Sequence, residues 1–209
     1  MVEPAHRNHH DYAPAARRLV SLVVLASLIA AVAFWAWQQP FLAYARTMWE
    51  LSRMEAPASL PVPVEGVEAR RIADTFGAPR GRDRQHAGVD IFADRGTPVV
   101  STTRGVVTSV REGGLGGRQV WVLGPGRERH YYAHLDDWAP GLEAGDVVWP
   151  GHVLGEVGDT GNARGTPPHL HYAIYGADGA TDPLPRLERE SAQAAEDPAP
   201  DVSAAAAGR

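Results

Sequence analysis

A chain of 209 residues with a formal charge of -5 has room for one ordinary globular domain and some appendages, because a single core closes within roughly 100–200 residues. All its positive charge is arginine and is scattered among carboxylates, which argues against the net basic face that nucleic-acid binding needs. Cysteine is absent, so disulfides, thiolate metal sites, thiol nucleophiles and a lipoprotein-type anchor are excluded, and any metal must be held by histidine and carboxylate.

Residues 1–18 read as a polar cytoplasmic tail, and its clustered His6, His9 and His10 as solvated side chains without a packed scaffold. Residues 19–37 carry no charge, and at 1.5 Å per residue they reach about 28 Å, enough to span a bilayer as a helix. Trp35 and Trp37 stand at its far end, where indoles favour the interface. Arg7, Arg17 and Arg18 precede the span against Arg46 and Arg53 after it, so the N-terminus is expected in the cytoplasm and the rest of the chain outside it. That arrangement suits a Gram-negative inner membrane with the bulk of the chain in the periplasm. The competing reading is a signal peptide cleaved at Ala31-Val32-Ala33, but the apolar run continues past it through Phe34 and the tryptophans.

Residues 38–66 are expected to form a stalk and linker. Leu42, Ala45, Met48 and Leu51 recur at helical spacing within Phe41 to Met54, and Pro57, Pro61 and Pro63 mark a stiff connection. From 67 to 185 the pattern changes to short β-type runs between glycine-rich turns, at Thr97–Thr102, Gly105–Val110, Gln119–Leu123, His130–His134, Val153–Val157 and His169–Tyr175. This predicts an all-β domain, a compact sandwich or split barrel of antiparallel strands. Residues 186–209, rich in alanine, proline and acid, are expected to be a disordered tail.

Three pieces of the β-rich region carry chemistry: His86-Ala-Gly-Val-Asp90, Tyr131-Tyr-Ala-His134 and His169-Leu-His171. Residues i and i+2 of a strand share a face, so His169 and His171 can both face one small site. His86 and Asp90 would lie about 13 Å apart on a straight strand, too far to share one ion, so a bend is needed, and Gly88 between them can take backbone angles closed to other residues. Two imidazoles and a carboxylate make a three-ligand site whose fourth position stays open, the hallmark of catalytic rather than structural zinc. Such a metal acidifies a water and polarises a carbonyl, and two further histidines can move the proton and stabilise the oxyanion. Gly113-Gly114-Leu115-Gly116-Gly117 reads as a hairpin turn or a groove wall, Arg84 as a surface or groove residue, Tyr132 as a packing or site-adjacent residue, and His152 as a surface residue. His130 shares the expected face of Tyr132 and His134 and has no assignable role.

The order His-x-x-x-Asp, Tyr-x-His-Leu, Gly-Asp-Thr-Gly-Asn and His-x-His resembles the lysostaphin-like, or LytM-type, family of cell-wall zinc metalloendopeptidases. Phe76-Gly77, Gly88-Val89-Asp90-Ile91, Gly96-Thr97-Pro98-Val99, Tyr132-Ala133-His134-Leu135, Gly145-Asp146-Val147-Val148, Gly158-Asp159-Thr160-Gly161-Asn162 and Pro168-His169-Leu170-His171-Tyr172 extend the likeness over nearly the whole β-rich region. The resemblance implies a fold of the duplicated hybrid motif type with a groove for an extended peptide. It implies Zn2+ held by His86, Asp90 and His171, with His134 and His169 as catalytic histidines, His169 as general base and His134 as stabiliser of the tetrahedral intermediate. The implied substrate is the peptide part of peptidoglycan, in either stem or cross-bridge. A non-catalytic envelope factor of the same fold, regulating cell-wall amidases, is the alternative; such members lack ligands, whereas this chain keeps all five site residues.

Overall fold

The structure, a computed structural model, describes residues 13–81 and 83–196. His6, His9 and His10 and the last residues of the expected tail, 197–209, lie outside them. The chain divides at Ala45/Arg46 into two compact units.

In the first unit, helix α1 (Ala13–Trp37) contains a 22-residue apolar stretch, Ala16–Trp37, that is long and apolar enough to cross a membrane and has none of its residues buried within the protein. A helix apolar on every side fits a lipid rather than an aqueous surround. Helix α2 follows at Pro40–Arg53, close to the expected stalk, and from Arg46 onward it belongs to the second unit. Of the apolar positions that predicted it, Leu51 is buried. Glu50 is paired with Arg104 at 2.6 Å, and the Met54 carbonyl accepts from the Gly126 amide at 2.9 Å.

The second unit is a branched antiparallel sheet of nine strands: β1 (Val89–Phe92), β2 (Pro98–Val100), β3 (Gly105–Gly113), β4 (Gly117–Leu123), β5 (Arg129–Trp138), β6 (Val147–Val148), β7 (Val153–Val157), β8 (His169–Gly176) and β9 (Gly179–Thr181). The main path runs β1-β8-β5-β4-β3-β6, with β7 pairing both β5 and β2 and β9 pairing β8. The all-β expectation holds, and the six predicted runs fall on β2, β3, β4, β5, β7 and β8; β1, β6 and β9 lie outside those runs. Strand alternation sorts the side chains. Val89, Ile91, Val120, Val122, Tyr132, Leu170, Tyr172 and Ile174 turn to one face and join a single core. Asp90, His169 and His171 turn to the other.

Two expected boundaries are corrected. The proline-rich segment is part of the domain rather than a free linker: Leu60 and Val64 are core residues, Val64 bridges Val99, and the Pro63 carbonyl accepts from the Val100 amide at 2.9 Å. Its apolar side chains alternate with prolines that hold an extended backbone, so it pairs with the sheet at β2. The tail is not disordered from residue 186, because helix α3 spans Leu184–Glu196. Asp182 accepts from the Leu184 amide at 3.0 Å and caps the helix, while Leu187 is fully buried, worth about 1.5–3 kcal/mol. Arg186 pairs with Glu128 at 2.9 Å and donates to the Pro57 carbonyl at 2.5 Å, stitching α3 to the preceding segment. Alanine-rich composition concealed a helix whose anchor is two leucines at its first turn.

Candidate metal centre and catalytic groove

Cross-strand pairing builds the centre. Asp90 of β1 stands directly opposite His171 of β8, and Phe92 opposite His169, so all four share a face. His86 arrives from a small hairpin closed by the Pro79–Gln85 bridge, just ahead of β1. His86 Nε2, His171 Nδ1 and Asp90 Oδ1 lie 2.8 Å, 3.0 Å and 3.1 Å from one another. Donors around one tetrahedral zinc at ordinary bond lengths stand about 3.3 Å apart, so a single ion reaches all three with small adjustments. The protonation pattern agrees. His86 donates its Nδ1–H to the Thr75 carbonyl at 2.8 Å, which leaves the Nε2 lone pair facing the other two groups. Converging acceptors of this kind need a cation or a shared proton between them.

Gly88 has the importance expected of it, for a different reason. Its φ is not in the left-handed region; a Cβ there would lie 2.2 Å from the Tyr172 carbonyl oxygen. Close approach of the two backbones, not an unusual turn, demands glycine.

His134 reaches the site by breaking the alternation. Tyr132 pairs with Tyr172, and both are fully buried in the core, so a regular strand would send His134 to that face as well. Instead Ala133 and His134 together oppose Gln119, because Arg118 pairs with Leu135 and Val120 with Tyr132. This bulge puts His134 at φ 65°, a conformation costing a non-glycine residue about 1–3 kcal/mol. Hydrogen bonds hold it there. The His134 amide donates to the Gly116 carbonyl at 2.8 Å, and its Nδ1–H donates to the Thr160 carbonyl at 2.9 Å. Thr160 Oγ1 in turn donates to the Leu135 carbonyl at 2.8 Å and accepts from the Arg118 amide at 2.9 Å. The Gly158-Asp159-Thr160-Gly161-Asn162 motif is therefore a strap over the bulge. Glycine at 161 lets the hairpin tip press on it, since a Cβ would lie 2.3 Å from the Leu115 carbonyl oxygen.

His169 donates Nδ1–H to the Pro167 carbonyl at 2.9 Å, and its ring centre lies 5.1 Å from that of His134. His134 in turn lies 5.9 Å from His171, so all five expected residues meet in one place. Burial would raise the Asp90 carboxyl, but its close contacts with His171 and His86 outweigh it and hold the group well below the carboxylate range. Burial, reinforced by His171, pushes His134 down to about 4, and burial also lowers His171. Both shifts favour the neutral ring near pH 7, the state in which an imidazole can bind a metal or accept a proton.

The groove around the centre is lined by Arg80 and Arg84 from the first hairpin, by Gly113–Gly116 of the β3–β4 turn, and by Trp121, Tyr131 and Tyr175 on its floor. The glycine-rich stretch thus serves as both hairpin turn and wall. Trp121 stacks on Tyr131 with ring centres 4.3 Å apart. Arg80, whose guanidinium bonds Asp90 Oδ2, and Tyr131, beside His171, were not singled out from the sequence. Arg80 depends on a hairpin that no periodicity announces, and the parity of Tyr131 becomes meaningful only once Ala133 is known to pair with His171. Tyr132 and His130 belong to the core face, away from the groove, and His152 is exposed.

Comparison with known proteins agrees with this geometry. Residues 84–183 match the model of peptidase family M23. The L-Ala–D-Glu endopeptidase of Bacillus subtilis is 39% identical over 140 residues, which is 62% of this chain and 42% of that protein. The catalytic domain of the antimicrobial peptidase lysostaphin from Staphylococcus simulans superposes with a TM-score of 0.50 at 30% identity, covering 56% of this chain and 92% of that one. A zinc-containing peptidase from Vibrio cholerae gives a TM-score of 0.52 at 26% identity, covering 64% of this chain and 40% of that one. The chain belongs to peptidase family M23, with a β-rich domain of the lysostaphin type. It spans less than half the length of the Bacillus relative.

Proposed function

We propose that the protein is a zinc-dependent endopeptidase that hydrolyses peptide cross-links of bacterial peptidoglycan. In this reading Ala16–Trp37 anchors it in the inner membrane, with the catalytic domain on the periplasmic side. The observation that carries the reading is the triangle of His86, Asp90 and His171, flanked by His134 and His169 in one groove. His86 Nε2, His171 Nδ1 and Asp90 Oδ1 would hold the ion, and the two-nitrogen, one-oxygen donor set suits zinc. When bound, zinc supplies Lewis acidity to a peptide carbonyl and to the attacking water.

The chain's own residues do the rest. Arg80 engages the second oxygen of Asp90, which orients the carboxylate and favours one-oxygen binding. The carbonyl tethers of His134 and His169 occupy both Nδ1 atoms and turn both Nε2 lone pairs outward, so each ring enters the reaction as a proton acceptor. His169 takes the proton of the attacking water. His169 then returns that proton to the leaving amine, and His134 can donate to the oxyanion only once its Nε2 has taken a proton from solvent, an uptake that the negative charge developing beside it favours. The Bacillus relative is an L-Ala–D-Glu endopeptidase, which supports a wall stem peptide as the substrate class.

The test is digestion of purified peptidoglycan by the full chain in detergent, with products identified by mass spectrometry. New peptide termini are expected, lost on chelation and regained with Zn2+. Zinc binding with no new termini, accompanied by stimulation of a cell-wall amidase, would replace the hydrolase reading with the regulatory one.

A further inference from the structure

The chain is acidic overall, with a formal charge of -5, yet its groove is not. The lining holds Arg80, Arg84 and Arg111 against Asp90 and Glu112. Both carboxylates are engaged, Asp90 by Arg80 and Glu112 by Arg118 at 3.3 Å. Among the described residues, neither Arg84 nor Arg111 has a carboxylate in ion-pair reach. Both are exposed, so each guanidinium is available to a ligand lying in the groove.

Their placement follows from the sheet. Arg111 of β3 pairs with Gln119 of β4, which opposes the Ala133–His134 bulge of β5; Ala133 pairs with His171 of β8, and His171 with Asp90 of β1. Arg111 thus shares a cross-strand row with the metal centre. Arg84 lies at the other end, two residues before His86, in the hairpin that leads into β1. From β1 to β3 is four strand spacings, or about 19 Å, the length of about five or six extended residues. Between the two arginines lie the centre and the aromatic floor.

Resting on the peptidase reading above, we propose that Arg84 and Arg111 select an anionic peptide, one with carboxylates that reach the two ends of the groove while the scissile bond lies at the centre. Guanidinium offers a planar pair of donors that matches a carboxylate, which an amide replaces poorly. A neutral peptide such as oligoglycine would leave both cations without a partner. The required carboxylates have two sources in a wall peptide, an acidic residue within the stem or the free C-terminus.

The experiment uses the full chain in detergent and four synthetic stem peptides: both carboxylates free, the internal one amidated, the terminal one amidated, or both amidated. We expect the fully free peptide to have a kcat/KM about tenfold or more above the doubly amidated one, with the singly amidated pair showing which source dominates. Arg84→Gln and Arg111→Gln should each narrow that ratio severalfold, and added salt should narrow it in the wild type. Both positions are exposed, so the fold should tolerate the changes. In parallel, binding of the free and doubly amidated peptides to metal-free protein is measured by calorimetry. Equal kcat/KM for all four peptides, or a ratio unmoved in both variants, overturns the proposal while the peptidase reading stands. A binding preference that the variants remove, without any cleavage, sustains the charge selection and sinks the peptidase reading. No cleavage and no preference overturns both.

Discussion

The two faces of the β5–β8 strand pair each carry histidine, and they treat it differently. On the core face His130 bonds Tyr172 Oη through Nδ1 at 2.8 Å, and Thr102 Oγ1 bonds Tyr172 Oη at 2.8 Å and Tyr132 Oη at 3.0 Å. The hydroxyls there turn towards one another and towards His130 Nδ1, while Nε2 of the fully buried ring has no hydrogen-bond partner and lies 3.9 Å from the Glu128 carboxylate. On the groove face, His86, His134 and His169 each spend Nδ1–H on a backbone carbonyl and present Nε2. The difference shows that neither burial nor an unspent nitrogen marks a site; a ring fixed through Nδ1 by a backbone carbonyl, with Nε2 turned into the groove, does.

The largest effect that should separate the faces is on catalysis. His169→Ala or His134→Ala should lower peptidoglycan cleavage about 10²–10⁴-fold while zinc content stays near that of the wild type, checked by product release and elemental analysis on the same samples. A matching loss of zinc would show these rings to be ligands instead.

Gly88→Ala should destabilise the domain by about 3 kcal/mol or more, seen in urea melts, because the added Cβ meets the Tyr172 carbonyl oxygen at 2.2 Å. A mild effect would mean that β1 and β8 can separate without cost and that the Asp90–His171 pairing is looser than described.

His130→Phe tests the core face. It should cost about 1–2 kcal/mol near neutral pH by removing one partner of Tyr172, and leave zinc content intact. Its pH signature is distinctive. Burial, with the Arg186 charge, pushes His130 down to about 3 from an ordinary 6.5, so between those values the unfolded chain binds more protons. Stability contributed by the neutral ring is complete above pH 6.5 and is lost as pH falls towards 3, by up to about 1.4 kcal/mol per unit. The variant should lack that part of the acid limb. Smallest of all, Tyr132→Phe should cost about 1 kcal/mol for its bonds to the Thr102 amide and hydroxyl and leave cleavage unchanged.

The same contrast explains what could be read in advance. His169 and His171 were legible because a regular strand places i and i+2 together, and β8 is regular. His130, Tyr132 and His134 obey the same spacing, yet only His134 faces the groove, since a bulge held by Thr160 and Gly116 reverses its side. No periodicity contains that reversal. Motif resemblance pointed to His134 without the bulge that places it. Helix α3 was hidden by composition, although Asp182-Pro183 before Leu184 is a start signal. Arg80 and Tyr131 depend on chain reversal and cross-strand parity, which arise only once the strands have paired.

The most direct test of the account compares His171→Ala with His130→Phe, two histidines on neighbouring strands and opposite faces. Zinc content and peptidoglycan cleavage would be measured side by side on the full chain in detergent. About one zinc per chain and full cleavage are expected for wild type, zinc and cleavage both lost in His171→Ala, and both retained in His130→Phe. Zinc retained in His171→Ala, or lost equally in both variants, would contradict it.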